Sequence, residues 1–279
     1  MRLLPLTVAL AFGLTGPVFA QTIERILETG ELKLGFRTDA PPLSFADEKG
    51  DAAGYSPLLC VGIAQALAKN LELEDLAVSF HPVTTEDQFE KVASGEIDLL
   101  CGATTITLDR REMVDFSIPT YVDGSVVLLP RNANPTFKDL EGKKIGVHRG
   151  TTTAEALENS LAQNGIHAEE VLFDSHDAGI EALKNKEIDA YFGDQSILLY
   201  YLIAKDLGSD LRITDRLLSL EKQGLAMARG DANFRLVVDG IISSMYRTGG
   251  MQRLYREALP GVEPGQAMKA LHLIAPELP

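Results

Sequence analysis

One order of elements occurs twice in this chain, and it limits the fold more than any other feature. "DQFEKVASGEIDLLCGATT" (87–105) and "AGIEALKNKEIDAYFGDQ" (178–195) each read as a helix, a Glu-Ile-Asp step, an apolar strand and a polar end. Upstream, "LKLGFRT" (32–38) and "KKIGVHRGTT" (143–152) each read as a short strand running into a loop with an arginine and a threonine. Two copies are too few for a solenoid. Strands alternating with helices imply parallel sheets covered by helices. The expected class is α/β, with two Rossmann-like lobes.

The lobes need connections. "GSVVLLPRNANP" (124–135) and "KQGLAMARGDANF" (222–234) are β-like segments ending in Gly- or Pro-marked turns, and both fit strands crossing between lobes. The chain is expected to leave lobe one near Val127 and return near Leu225. Lobe one is then discontinuous, 21–126 plus 226–279, and lobe two is 127–225, joined by a two-strand hinge. Gly249-Gly250 marks a break among the last helices, and the tail from Pro260 has no assigned place.

The first twenty residues, "MRLLPLTVALAFGLTGPVFA", have the order of a secretory signal, with Val18-Phe19-Ala20 as an A-x-A-like cleavage site after Ala20. The exported protein is expected to be soluble. In an oxidising compartment its two cysteines, Cys60 and Cys101, can form a disulfide; the alternative is two buried thiols packed as small hydrophobes. A formal charge of −14 argues against nucleic acid or an anionic membrane as partner. Any anion site must therefore be built locally.

In open parallel sheets, ligands sit beyond the carboxyl ends of the strands. Those ends hold Arg37, Ala103 to Thr105 and Arg110 in the first lobe, and Arg149, Thr151, Thr152, His176 and Asp194 in the second. Thr107 reads as an N-cap that places Arg110 in the first turn of a helix, where the macrodipole disfavours a cation. A ligand anion would compensate it; a surface carboxylate is the alternative. Arg111 is expected to pair with Asp115, four residues on. Thr85 with Gln88, and Thr152 with Glu155, read as capping boxes. Thr152 can also lend a helix start to a carboxylate. Asp194 can cap the element after its strand or accept an ammonium, and His176, Arg149 and Arg37 could each be solvated. Asp98 and Asp189 look architectural. The chain lacks G-x-S-x-G, a glycine-rich phosphate loop and H-E-x-x-H, so neither enzyme nor cofactor chemistry is suggested.

"LGFRTDAPPLSF", "GEIDLLCGATTITLDRREMVDFS", "DLEGKKIGVHRGTT" and "EIDAYFGDQ" together resemble the periplasmic solute-binding proteins for polar amino acids, the type II binding fold of ABC importers. The likeness runs to about Leu259. It implies that Arg110 holds the ligand α-carboxylate with help from Thr105, Thr151 and Thr152, and that Asp194 accepts the α-ammonium. The variants "GFRTDAPPLSF", "CGATTITLDR" and "SHDAGIEAL" look most like the glutamate/aspartate binders, which implies that Arg37 and His176 hold a side-chain carboxylate. Arg149 stands where those binders have a small residue and would fill side-chain space or add a cation. The aromatic walls of the basic-amino-acid binders are missing around Ala40 and Thr85, which leaves glutamine or a neutral amino acid as the alternative. The expected partners are one amino acid and the membrane permease, with the protein itself a monomer. The rivals are a dehydratase-like enzyme and a sensor module on the same fold.

Overall fold

The computed structural model describes residues 22–134, 136–215 and 217–277. The signal-like segment and its cleavage site lie outside the described residues. After α1 (Thr22–Thr29), the first lobe opens with β1 (Glu31–Arg37) and a small sheet of β2 (Asp39–Ala40), β3 (Ser44–Ala46) and β4 (Ala52–Ala53). Next come α2 (Tyr55–Asn70), β5 (Ala77–Val83), α3 (Gln88–Ala93), β6 (Leu99–Leu100) and β7 (Val114–Phe116). Strand β8 (Tyr121–Asp123) leaves that lobe. The second lobe holds β9 (Ser125–Pro130), β10 (Lys144–His148), α4 (Thr152–Asn164), β11 (Glu169–Phe173), α5 (His176–Lys184), β12 (Ala190–Asp194), α6 (Gln195–Ala204) and β13 (Leu211–Ile213). The chain returns through β14 (Glu221–Gln223) to β15 (Ala226–Ala228), α7 (Ala232–Arg247), α8 (Gly250–Ala258) and α9 (Gln266–Ile274).

The repeated motif becomes a repeated sheet. The strand orders are β5-β1-β6-β15-β7 and β11-β10-β12-β9-β13, each with three parallel strands followed by an antiparallel one. The two Glu-Ile-Asp aspartates do the same work in both. Asp98 accepts the Lys33 N–H at 2.8 Å while its own N–H donates to the Lys33 carbonyl, and Asp189 does the same with Lys144. Each aspartate thereby sets the register between the strand that follows it, β6 or β12, and its parallel neighbour, β1 or β10. That is the architectural role expected of both.

Helices cover both faces of each sheet, so the inner strands read as apolar runs. The first lobe buries Leu32, Leu34, Leu59 and Ile63 against Val238, Ile242, Met251 and Leu254 of α7 and α8. Gly249, at φ 72°, separates those helices. The unassigned tail forms α9, which buries Met268 and Leu271, rests on β8, and sets the His272 ring against Tyr246 and Tyr255. Cys60 on α2 and Cys101 after β6 are bonded, their Cα atoms 6.2 Å apart, which decides between the two cysteine readings.

The antiparallel pair β8 and β14 forms its own two-stranded sheet between the lobes. These crossing strands lie a few residues before Val127 and Leu225, because the β-like runs immediately after them belong to the two main sheets. Across the cleft the lobes touch. Asp39 Oδ2 lies 2.8 Å from His148 Nε2, the Thr152 and Thr105 hydroxyl oxygens are 3.3 Å apart, and the Phe45 and Tyr200 rings are 6.3 Å apart. The conformation is closed. Among the described residues no helix is long and apolar enough to cross a membrane.

Candidate functional site

The cleft between the lobes is lined from the first by Arg37, Ala40, Thr85, Gln88, Thr105 and Arg110, and from the second by His148, Gly150 to Thr153, His176 and Asp194. Strand ends supply most of them, as the sheet topology requires. Gly150, at φ 69°, turns β10 into α4 and brings that turn against Thr85 of the opposite lobe. Gly179 lets α5 lie directly on β12, since a Cβ there would meet the Tyr191 ring at 2.1 Å.

Arg110 faces the cleft on different geometry from that expected. Thr107 does accept the Arg110 N–H, at 3.2 Å, but it leads into a single 3₁₀ turn, Arg110–Glu112, and not an α-helix. A single turn sums few peptide dipoles, so the macrodipole is not the source of this cation's unusual state. Its surroundings are. The guanidinium lies 5.2 Å from the Phe89 ring centre and donates to the Thr105 carbonyl at 2.8 Å. Burial lowers its pKa against the opposing fields of Glu155, Glu221 and Asp194. Among the described residues none of these carboxylates reaches ion-pair distance of it. Arg111 is not paired with Asp115: it lies over the Phe116 ring, while Asp115 accepts the Gly230 N–H and faces Arg235.

Neither expected capping box forms: α3 starts after Asp87 without a side-chain cap, and α4 is capped one residue earlier than expected. Thr151, not Thr152, caps α4 through Ala154, which frees the Thr152 hydroxyl for the cleft. Thr84 exchanges hydrogen bonds with Asp87, and Gln88 donates its Nε2 to the Thr85 carbonyl.

The Thr105 and Thr152 hydroxyls both donate at 2.7 Å to Glu221 Oε2, a residue on β14 that sequence reasoning missed. Ser219 and Ser125 donate to the other oxygen at 2.6 and 3.1 Å. Burial would raise the Glu221 carboxyl; these four hydroxyls hold it below its ordinary value. Glu221 therefore joins both lobes from the connecting strands.

Asp194 makes no side-chain cap to α6. It accepts from Thr153 at 2.9 Å and from Gln223 Nε2 at 3.4 Å. Burial, with the charges of Asp123 and Glu221, pushes its carboxyl up to about 8. Burial also raises Asp123, to about 6, although Ser196 and the Gly124 N–H donate to it. Three carboxylates thus crowd one end of the cleft. A carboxyl raised in the folded state stabilises it below the unfolded pKa and loses that contribution as pH rises through the folded one. The ligand-free protein should accordingly lose on the order of 1 kcal/mol per pH unit between about pH 6 and 8. Melting curves of wild type and Asp194→Asn across that range check this; the variant's curve should be flatter.

The other end holds Arg37, Asp39, His148 and His176. Arg37, 5% exposed, places Nε and Nη2 each 2.7 Å from Asp39 Oδ1. Burial would raise Asp39, but its bond to His148 and the Arg37 charge hold it well below the carboxylate range. His176 is buried on α5, its Nδ1 3.1 Å from the Tyr191 hydroxyl and its ring 4.8 Å from that of His148. Burial pushes its pKa down to about 3, so it is neutral at physiological pH. Arg149 is not part of this group. Its side chain is 44% exposed and pairs with Asp174 at 3.0 Å, because it comes directly after the inward-pointing His148 on the strand. Arg149→Ala should leave any ligand affinity within about twofold, as an exposed pair contributes little; titration calorimetry checks this. Asp39 and His148 belong to the segments that carry the family resemblance but have no signal of their own, since a loop aspartate and a strand-end histidine read as solvated.

Two α/β lobes joined by two crossing strands, with charged side chains gathered in the cleft between them, are the architecture of a two-lobed binding protein. The profile of the bacterial extracellular solute-binding proteins, family 3, matches residues 32–260. The L-glutamate/L-aspartate-binding protein of Pseudomonas aeruginosa is 30% identical over 255 residues, covering 89% of this chain and 84% of that protein. The glutamate/glutamine/aspartate/asparagine-binding protein BztA of Rhodobacter capsulatus is 26% identical, covering 83% and 68%. Among solved structures, an ancestral arginine-binding protein bound to glutamine superposes with a TM-score of 0.72 at 26% identity, covering 82% of this chain and 98% of that one. This chain belongs to the family 3 extracellular solute-binding proteins.

Proposed function

We propose that the protein captures one polar α-amino acid between its lobes in the periplasm and presents it, as a monomer, to the permease of an ABC importer. The lobes are taken as 21–126 with 226–279, and 127–225. The observation that carries this reading is the arrangement around Arg110: a half-buried guanidinium with no carboxylate in contact among the described residues, beside the first turn of α4 and a few side chains from the raised carboxyl of Asp194. A zwitterion answers both. Its carboxylate takes Arg110 and the α4 N–H groups, and its ammonium takes Asp194, relieving the crowding with Asp123 and Glu221. Thr105, Thr151 and Thr152 then shape the site: the first and last through Glu221, the middle one by capping α4.

Ligand bridging the lobes favours the closed state by its differential contacts. The names of the relatives make glutamate and aspartate the first candidates, with Arg37 and His176 toward the side chain. Glutamine or another neutral polar amino acid is the second reading, favoured because Asp39 already occupies Arg37. A binder is preferred to a dehydratase-like enzyme because burial, with the charges of Asp123 and Glu221, explains the raised Asp194 without a proton-transfer role. Titration calorimetry of refolded, ligand-free protein with glutamate, aspartate, glutamine, asparagine, arginine and leucine tests the reading. Micromolar or tighter binding of a polar amino acid supports it, and no binding by any of the six overturns it.

A further inference from the structure

At the side-chain end of the cleft Gln88 Oε1 is buried without a hydrogen-bond partner, while the buried Arg37 Nη2 and His148 Nε2 lie against Asp39 at 2.7 and 2.8 Å. The Gln88 orientation is fixed, because its Nε2 donates to a carbonyl, that of Thr85, which can only accept. A buried acceptor without a partner therefore lines the same cleft as Arg37, and an unpaired buried acceptor calls for a donor. Both basic groups that face this end are already turned on one carboxylate: Arg37 on Asp39 Oδ1 and His148 on Asp39 Oδ2. The neighbouring His176 has its Nδ1 on Tyr191.

We propose that this end is built for a terminal carboxamide, and that Asp39 and Gln88 are the residues that set amide over acid. The amide oxygen accepts from Arg37, and the amide NH2 donates to Gln88 Oε1. A carboxylate in the same place can satisfy Arg37 but has no proton for Gln88, and it meets the charge of Asp39 in a site with little water to screen it. Discrimination of this kind, in which a site's polar group is left unpaired by the wrong ligand, is stronger than any discrimination by size.

The inference rests on amino-acid capture as proposed above, and its failure is distinguishable from the failure of that reading. Titration calorimetry at one pH compares glutamine with glutamate and asparagine with aspartate, on wild type, Asp39→Asn and Gln88→Leu. Wild type is expected to bind the better amide at least about tenfold more tightly than the matching acid. Asp39→Asn should cut that ratio about tenfold, chiefly by tightening the acid, and Gln88→Leu should weaken the amide about tenfold with little change in the acid. Because Asp39 also touches the opposite lobe, loss of closure would weaken all ligands alike, so the ratio is the readout. A wild type that prefers the acid, or a ratio unmoved in both variants, overturns the proposal while leaving amino-acid capture standing. So does tight binding of an amino acid outside these four. Binding of none overturns capture itself.

Discussion

Arg110→Ala is expected to weaken the best amino-acid ligand by about two to three orders of magnitude, the largest single effect in the site. The side chain is anchored by the Thr105 carbonyl and the Phe89 ring, so its position does not depend on the ligand. Removing it would leave a ligand carboxylate among Glu221, Glu155 and Asp194 with no cation to answer it. Truncating one partner of a buried charge pair costs about 3–5 kcal/mol for this reason. Arg110→Lys should recover only part of the loss, because an ammonium cannot make the paired contacts of a guanidinium. Titration calorimetry reads both variants. A loss below tenfold in Arg110→Ala would place the carboxylate elsewhere.

The second large effect concerns stability. The Cys60–Cys101 bond closes a sequence separation of 41 residues and ties α2 to the end of β6, from which Ala103 to Thr105 enter the cleft. Constraint of the unfolded chain over such a loop contributes about 4 kcal/mol in the chain-entropy model. For a protein of this size that corresponds to about 8–16 °C in melting temperature. A Cys60→Ala/Cys101→Ala double variant, measured by scanning calorimetry, should melt lower by that amount, and reduced wild type should approach it. Both sites are fully buried, and alanine leaves neither a thiol nor a charge to accommodate. A shift below about 3 °C would mean that the native state carries strain offsetting the constraint.

The features legible in the sequence are those whose physics is local. The doubled helix–Glu-Ile-Asp–strand order specifies two like sheets, because the aspartate's bonds to the neighbouring strand, β1 or β10, are as repetitive as the motif itself. The cysteine bridge is also within reach, and so is the inward turn of Arg110, although the helix start expected there is a single 3₁₀ turn. The cap expected at Thr152 falls one residue earlier, on Thr151, because spacing does not say which of two adjacent threonines precedes the helix, and α3 starts after Asp87 with no side-chain cap. Arg149 reads as a cleft residue, although strand alternation makes His148 the inward one. Glu221 and Asp39 could not be found by motif at all. Their partners, Thr105 with Thr152 and Arg37 with His148, come from both lobes, and only the fold brings them together. Carboxylates in loops and connecting strands otherwise read as solvated.

Capture of an amino acid by closure of the lobes on Arg110 is open to a direct test by small-angle X-ray scattering. Ligand-free protein is measured with and without saturating glutamine or glutamate, beside Arg110→Ala. The radius of gyration of the wild type is expected to fall when the ligand is added, and that of the variant to stay unchanged at the same concentration. A wild type that binds an amino acid without compaction, or a variant that closes on it as well as wild type does, would contradict closure on Arg110 as the basis of capture.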